Sequence, residues 1–155
     1  MSSKFTAFFL ALALCMTSCN DDDDNGGPSG NSPIRVEKST LVLNGQSQQE
    51  TASINAVYTD SPDYLDITSV FSDNLSTQLE MSPLRDEGSY STSATLGFVV
   101  ATGSELWFCN EGCTVVIEEH DTDDRWIEIS VSGQMQDLFG TSFATLNSAR
   151  VATFY

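Results

Sequence analysis

From Ile34 onward, apolar and polar residues alternate with a period of two through most of the chain. That is the spacing at which a β-strand buries one face and wets the other. In TASINAVYT (51–59), Ala52, Ile54, Ala56 and Tyr58 fall on one face, with Ser53 and Asn55 opposite. YLDITSVFS (64–72) groups Leu65, Ile67 and Phe71 against Asp66 and Thr68. RWIEISVSGQM (125–135) is the clearest: Ile127, Ile129, Val131 and Met135 share one face, and Trp126, Glu128, Ser130, Ser132 and Gln134 the other. Further strands are predicted at STLVLN, STQLEM, SYSTSATL, GFVVA, ELWFC, CTVVIEE, SFATL and RVATFY, separated by turn chemistry such as Asn44-Gly45, Ser61-Pro62-Asp63, Glu87-Gly88 and Thr102-Gly103. No window holds a helical stripe. The pattern predicts one all-β domain over residues 34–155, an antiparallel β-sandwich, with a small up-and-down or partly open β-barrel as the alternative.

Residues 1–33 read differently. Lys4 precedes the apolar run Phe5–Met16, which is the length of a signal h-region and too short to span a bilayer. Met16-Thr17-Ser18-Cys19 resembles a bacterial lipobox, in which a hydrophobic and two small residues precede the cysteine that becomes the lipidated N-terminus. Cys15 fits less well, because bulky Leu14 would stand at a small-residue position. Residues 1–18 are therefore expected to be a lipoprotein signal peptide and Cys19 the anchor, with several acyl chains holding the protein to the membrane. The run Asp21, Asp22, Asp23 and Asp24 directly after Cys19 resembles the surface-export signal of Bacteroidota lipoproteins; its plainer reading is a self-repelling solvated spacer. Asn25–Pro33 (NGGPSGNSP) completes a flexible tether over 19–33. The resemblance implies an outer-membrane protein exposed at the cell surface.

Cleavage and lipidation would leave Cys109 and Cys113, in FCNEGCT, as the remaining cysteines. An even remainder in an exported chain points to a disulfide, here across a three-residue hairpin containing Gly112. Two cysteines alone lack the further ligands of a zinc site.

Charge narrows the partners. Without Lys4 the chain has five cations against 22 acids, a net of −17; without Asp21–Asp24 as well, the folded segment carries −13. There is no basic footprint for nucleic acid. Polyanionic glycans and anionic headgroups are disfavoured for the same reason. Neutral glycans, apolar molecules, cations and envelope proteins are left.

The segment GSYSTSATLGFVV and the chain from CTVVIEE to the end are similar to a pattern of small uncharacterised Bacteroidota lipoproteins. There a G-x-Y strand, a V-x-I-x-x-x-D strand, a polar turn, an I-S-G-x-F-like strand and an aromatic-rich final strand follow one another. Gly88-Ser89-Tyr90, Val115–Ile117 with Asp121, Ile129–Gly133 and Phe154-Tyr155 stand at those places, while Gln134-Met135 replaces the expected Phe. The resemblance implies a β-sandwich and brings no activity.

Three groups of residues invite a chemical reading. The carboxylates Asp121, Asp123 and Asp124 could offer hard oxygen ligands to Ca²⁺, though the segment lacks the glycine and the bidentate glutamate of an EF-hand loop, and a solvated hairpin turn explains it as well. Trp126 and Glu128 lie on the polar face of their strand, where an exposed indole would suit sugar stacking or a protein contact; packing at the edge of the core is the plainer account. Trp107 shares a face with Cys109 and is expected to pack beside the disulfide. His120 is the single histidine, no G-x-S-x-G elbow exists, and His120 is expected in a turn. A pair of hydrolytic carboxylates leaves no mark in sequence spacing. The expected function is a non-catalytic binding or accessory module, in neutral-glycan capture or envelope assembly. The alternatives are a carrier of haem or lipid, and a small hydrolase.

Overall fold

The computed structural model describes residues 34–109 and 111–155; the expected signal peptide over 1–18, Cys19 and Asp21–Asp24 lie outside the described residues. Residues 34–155 form one compact unit. Its strands are β1 (Lys38–Leu43), β2 (Gln49–Glu50), β3 (Ser53–Asp60), β4 (Asp63–Ser72), β5 (Leu75–Met81), β6 (Gly88–Ser91), β7 (Leu96–Thr102), β8 (Glu105–Phe108), β9 (Cys113–Asp121), β10 (Trp126–Asp137) and β11 (Phe143–Phe154). All named pairs are antiparallel. The fold is all-β, as the alternation predicts.

The strands make one connected sheet, ordered β2-β1-β11-β10-β8-β7-β5-β4-β3, with β9 pairing β10 and β6. It curls into a half-barrel whose two arms face each other as the layers of a sandwich do. Leu65, Ile67, Leu79, Met81, Phe98 and Val100 from β4, β5 and β7 meet Val115, Ile117, Ile127, Ile129, Val131 and Met135 from β9 and β10. Each such fully buried side chain contributes roughly 1.5–3 kcal/mol relative to exposure. The two arms fill the space between them: the void lined by Ile67, Leu79, Phe98, Ile129 and Val131 is about 10 Å³, no more than the room one water requires.

Two expected boundaries shift. SYSTSATL is not one strand: β6 ends at Ser91 and β7 begins at Leu96, with a Ser93–Leu96 bridge between them. SFATL and RVATFY are not two strands but the single β11. Its inward face carries Ala144 and Leu146 before Asn147, and Ala149, Val151 and Thr153 after Ser148. Register slips by one residue at this point against both β1 and β10, so Asn147 is an extra, bulged residue that resets the phase. Its Oδ1 accepts a 2.7 Å bond from the Gly45 N–H, pinning the β1–β2 loop to the bulge.

The Cys109–Cys113 disulfide is present, with Cα atoms 5.5 Å apart and both cysteines buried. Its setting is not the expected hairpin. β8 and β9 do not pair with each other; they run one after the other along the same edge of β10. Phe108 lies opposite Gln136 and Cys113 opposite Gly133, so four residues of this track span the two residues Gln134 and Met135 of β10. The disulfide closes that two-residue excess. The backbones approach closely here: a Cβ on Gly133 (φ +145°) would lie 2.3 Å from the Gly112 carbonyl oxygen, and one on Gly112 would lie 2.6 Å from that of Gln134.

Candidate functional site at the distal end

β10 runs the length of the domain, about 36 Å for its eleven steps, and its ends differ in character. At the end where Trp126 begins β10, Arg35 leads the chain into the fold. Its guanidinium donates to Asp124 (2.6 Å), Glu119 (2.7 Å) and Asp121 (2.8 Å), and its side chain is only 10 % exposed. Asp121 Oδ1 also accepts the backbone N–H groups of Asp123 and Asp124, which shapes the β9–β10 turn. The Arg35 side chain, followed by the Asp124 N–H, holds the Asp121 carboxyl below its ordinary range, and Asp121, then Glu119, raise Arg35. Of the three acids read as oxygen ligands for Ca²⁺, Asp121 and Asp124 instead bind the Arg35 guanidinium together with Glu119, while Asp123 contributes its backbone N–H to Asp121. Among the described residues no group of three or more His, Cys, Asp or Glu side chains is arranged to hold a metal ion.

Trp126 requires a correction. It sits on the outer face of β10 as the alternation says, yet it is 3 % exposed. Phe154 packs edge-on against it at 4.9 Å between ring centroids, and Arg35 lies 5.6 Å from the ring centroid on a face of the indole. Residues at the two extremes of the folded segment cover it, so it offers no stacking surface. Glu128, two residues on, bonds to Arg150 at 2.6 Å, and Arg150 also binds Glu118, the bulged residue of β9. The two residues do not form a joint binding surface.

His120 is the last inner residue before this turn, and its Nε2 meets the Tyr155 hydroxyl at 2.8 Å. Tyr58 packs edge-on against Tyr155 at 5.5 Å. Burial pushes the Tyr155 phenol up; desolvation, then Asp63, raises that of Tyr58. The histidine is thereby held by a neutral phenol rather than by a serine or cysteine it could activate.

The opposite, distal end is open. There the loop after β1, the β4–β5 turn and the β7–β8 turn surround a groove of about 420 Å³. Leu41, Leu43, Leu75 and Trp107 make its apolar floor and wall. Asn44, Gln46 and Ser47 from the first loop, with Gln49 at the start of β2, face Asn74 of the β4–β5 turn and the strand-end residues Ser72 and Thr102, and Glu105 is the one carboxylate of the lining. Local chemistry fixes these rims. Asn44 adopts a left-handed φ of 51° ahead of Gly45 and exchanges bonds with Thr145, its N–H donating to the Thr145 carbonyl and its Oδ1 accepting the Thr145 N–H, both at 2.8 Å. The Gly103 N–H donates to the Asn74 carbonyl at 2.7 Å, tying the β7–β8 turn to the β4–β5 turn.

Trp107 points inward, as its phase with Cys109 predicts, but it stands at the mouth and is only partly buried. Beside it a second hollow of about 260 Å³ lies under the β10–β11 turn, lined by Leu106, Trp107, Leu138 and Phe139. Leu138 and Phe139 are 66 % and 83 % exposed. Asp137 accepts 2.7 Å bonds from both the N–H and the hydroxyl of Thr141, which hold the turn and keep its carboxyl below the ordinary range.

Strand phase alone sets Trp107 beside the disulfide, and no local pattern marks Asn44, Gln46, Asn74 or Glu105 as parts of one site. The turn signals Asn44-Gly45 and Thr102-Gly103 mark loops, but only the curl of the sheet brings three such loops to one mouth. The chain matches no family model, no curated protein and no solved structure.

Proposed function

We propose that the chain is a lipid-anchored outer-membrane lipoprotein, displayed at the cell surface, that acts as a non-catalytic binding or accessory module through its distal groove. The carrying observation is the placement of that groove, about a β10 length from the end at which Arg35 leads the chain into the domain. The groove is thus clear of the point where residues 34 and 35 enter the folded segment. The resemblance of residues 16–24 to a lipobox and export run supports the anchor and the address.

Carriage of haem or a lipid inside the sheet is less well supported, because the core void lined by Ile67, Leu79, Phe98, Ile129 and Val131 is only about 10 Å³. Hydrolysis through His120 is disfavoured by its bond to Tyr155.

The test is made on the full chain in a Bacteroidota host. A cysteine placed in the distal turn by Ser104→Cys should react with a membrane-impermeant maleimide on intact cells. Cys19→Ala should release the protein from the membrane fraction. Replacing Asp21–Asp24 with alanine should abolish labelling while leaving the lipid in place. Recovery of the wild-type chain unlipidated in a soluble fraction would sink the reading.

A further inference from the structure

We infer that the distal groove is a site for an uncharged oligosaccharide, with the Trp107 indole as its stacking wall and the side-chain amides of Gln46 and Asn74 as its hydrogen-bonding rims; this rests on the reading of the chain as a surface binding module. The groove is of the size in which small ligands are held, roughly 300–1,000 Å³. Its chemistry then selects among the classes that fit. Amide side chains donate and accept at once, which matches a molecule of hydroxyl groups that do both. An apolar ligand seated between Gln46 and Asn74 would strip water from those amides and return no partner, which costs free energy for each.

An anionic ligand would meet Glu105 in the lining and the field of a chain with net charge −16. A pyranose has an apolar C–H face and a polar edge, and the groove has a half-buried indole on one side and amide rims on the others. Of the other carboxylates at this end, Asp73 in the β4–β5 turn is not part of the lining, and Asp137 is engaged by Thr141 within its own turn. The hollow beside Trp107, bounded by Leu106, Leu138 and Phe139, continues the same wall and would let a chain longer than the groove run out over it.

The experiment uses the full lipidated chain in a non-glycosidic detergent. It is titrated with neutral oligosaccharides (α- and β-linked glucan, mannan and xylan fragments), with an oligogalacturonate and with oleate. Binding is followed by tryptophan fluorescence and by calorimetry. Saturable binding of a neutral oligosaccharide is expected, with a fluorescence change that survives Trp126→Phe and disappears in Trp107→Phe. Trp107→Ala should weaken binding about tenfold or more. Because that indole also packs on the core, Asn74→Ala and Gln46→Ala, both on exposed loops, provide independent variants and should each weaken binding several-fold at an unchanged melting temperature. The inference is overturned if no neutral oligosaccharide binds, if oligogalacturonate or oleate binds more tightly, or if binding is untouched in all three groove variants. Failure here leaves surface display to be judged by the maleimide experiment.

Discussion

Arg35 illustrates how much one residue decides. Nothing in its local sequence, SPIRVEK, marks it as structural. Folded, it draws Glu119, Asp121 and Asp124 together at 2.6–2.8 Å and covers the face of Trp126. Without a cation at their centre these acids would repel one another, so the turn depends on a residue some 86 positions away. The pH dependence has a defined sign. Asp121, held by Arg35, and Asp137, held by Thr141, bind protons less readily folded than unfolded. The unfolded chain therefore takes up more protons near pH 4, and stability present in full above the unfolded value of about 3.9 is lost as pH falls through the lower folded values. Urea midpoints measured from neutral pH to pH 3 should fall at the acid end, and Asp121→Asn should flatten part of that fall. A midpoint that stays constant to pH 3 would contradict the assignment.

At the scale of elements, bulges do what loops were expected to do. The Asn147-Ser148 pair reads as a break between two strands because both residues are polar in sequence. In the sheet one of them is simply extra, and β11 continues with its inward face restored. FCNEGCT reads as a hairpin because two strand-like runs flank a glycine. The observed track β8–β9 keeps its direction instead, because β10 offers a single long edge to both. The cysteines close this excess of backbone, and Gly112 and Gly133 permit the contact beneath it. Removing the cross-link through paired Cys109→Ala and Cys113→Ala should cost roughly 2 kcal/mol, the chain-entropy value for so short a ring. Equilibrium denaturation of the variant against the oxidised parent measures it. An unchanged free energy would show that the bulge holds itself together.

At the scale of the whole molecule, charge and curvature dominate. A folded segment of net −13 repels itself, and three of its five cations are already engaged: Arg35 and Arg150 in acidic clusters, Lys38 on Glu50 at 3.0 Å. Screening should relieve more repulsion than it removes attraction. The melting temperature is thus expected to rise between about 10 mM and 300 mM NaCl, where the Debye length falls from about 30 Å to below 8 Å. A fall in melting temperature over that range would mean that the ion pairs outweigh the net charge.

The sequence by itself determined the all-β class, the inward faces of β3, β4 and β10, the disulfide partners and the acidic character. These follow from nearest-neighbour periodicity, residue chemistry and counting, all of which are local or additive. The tertiary structure alone decided that Trp126 is buried, that β8 and β9 share an edge, and that Asn44, Asn74 and Trp107 meet at one mouth. Each of these depends on which distant strands become neighbours, and alternation states which way a side chain faces without stating what will come to cover it.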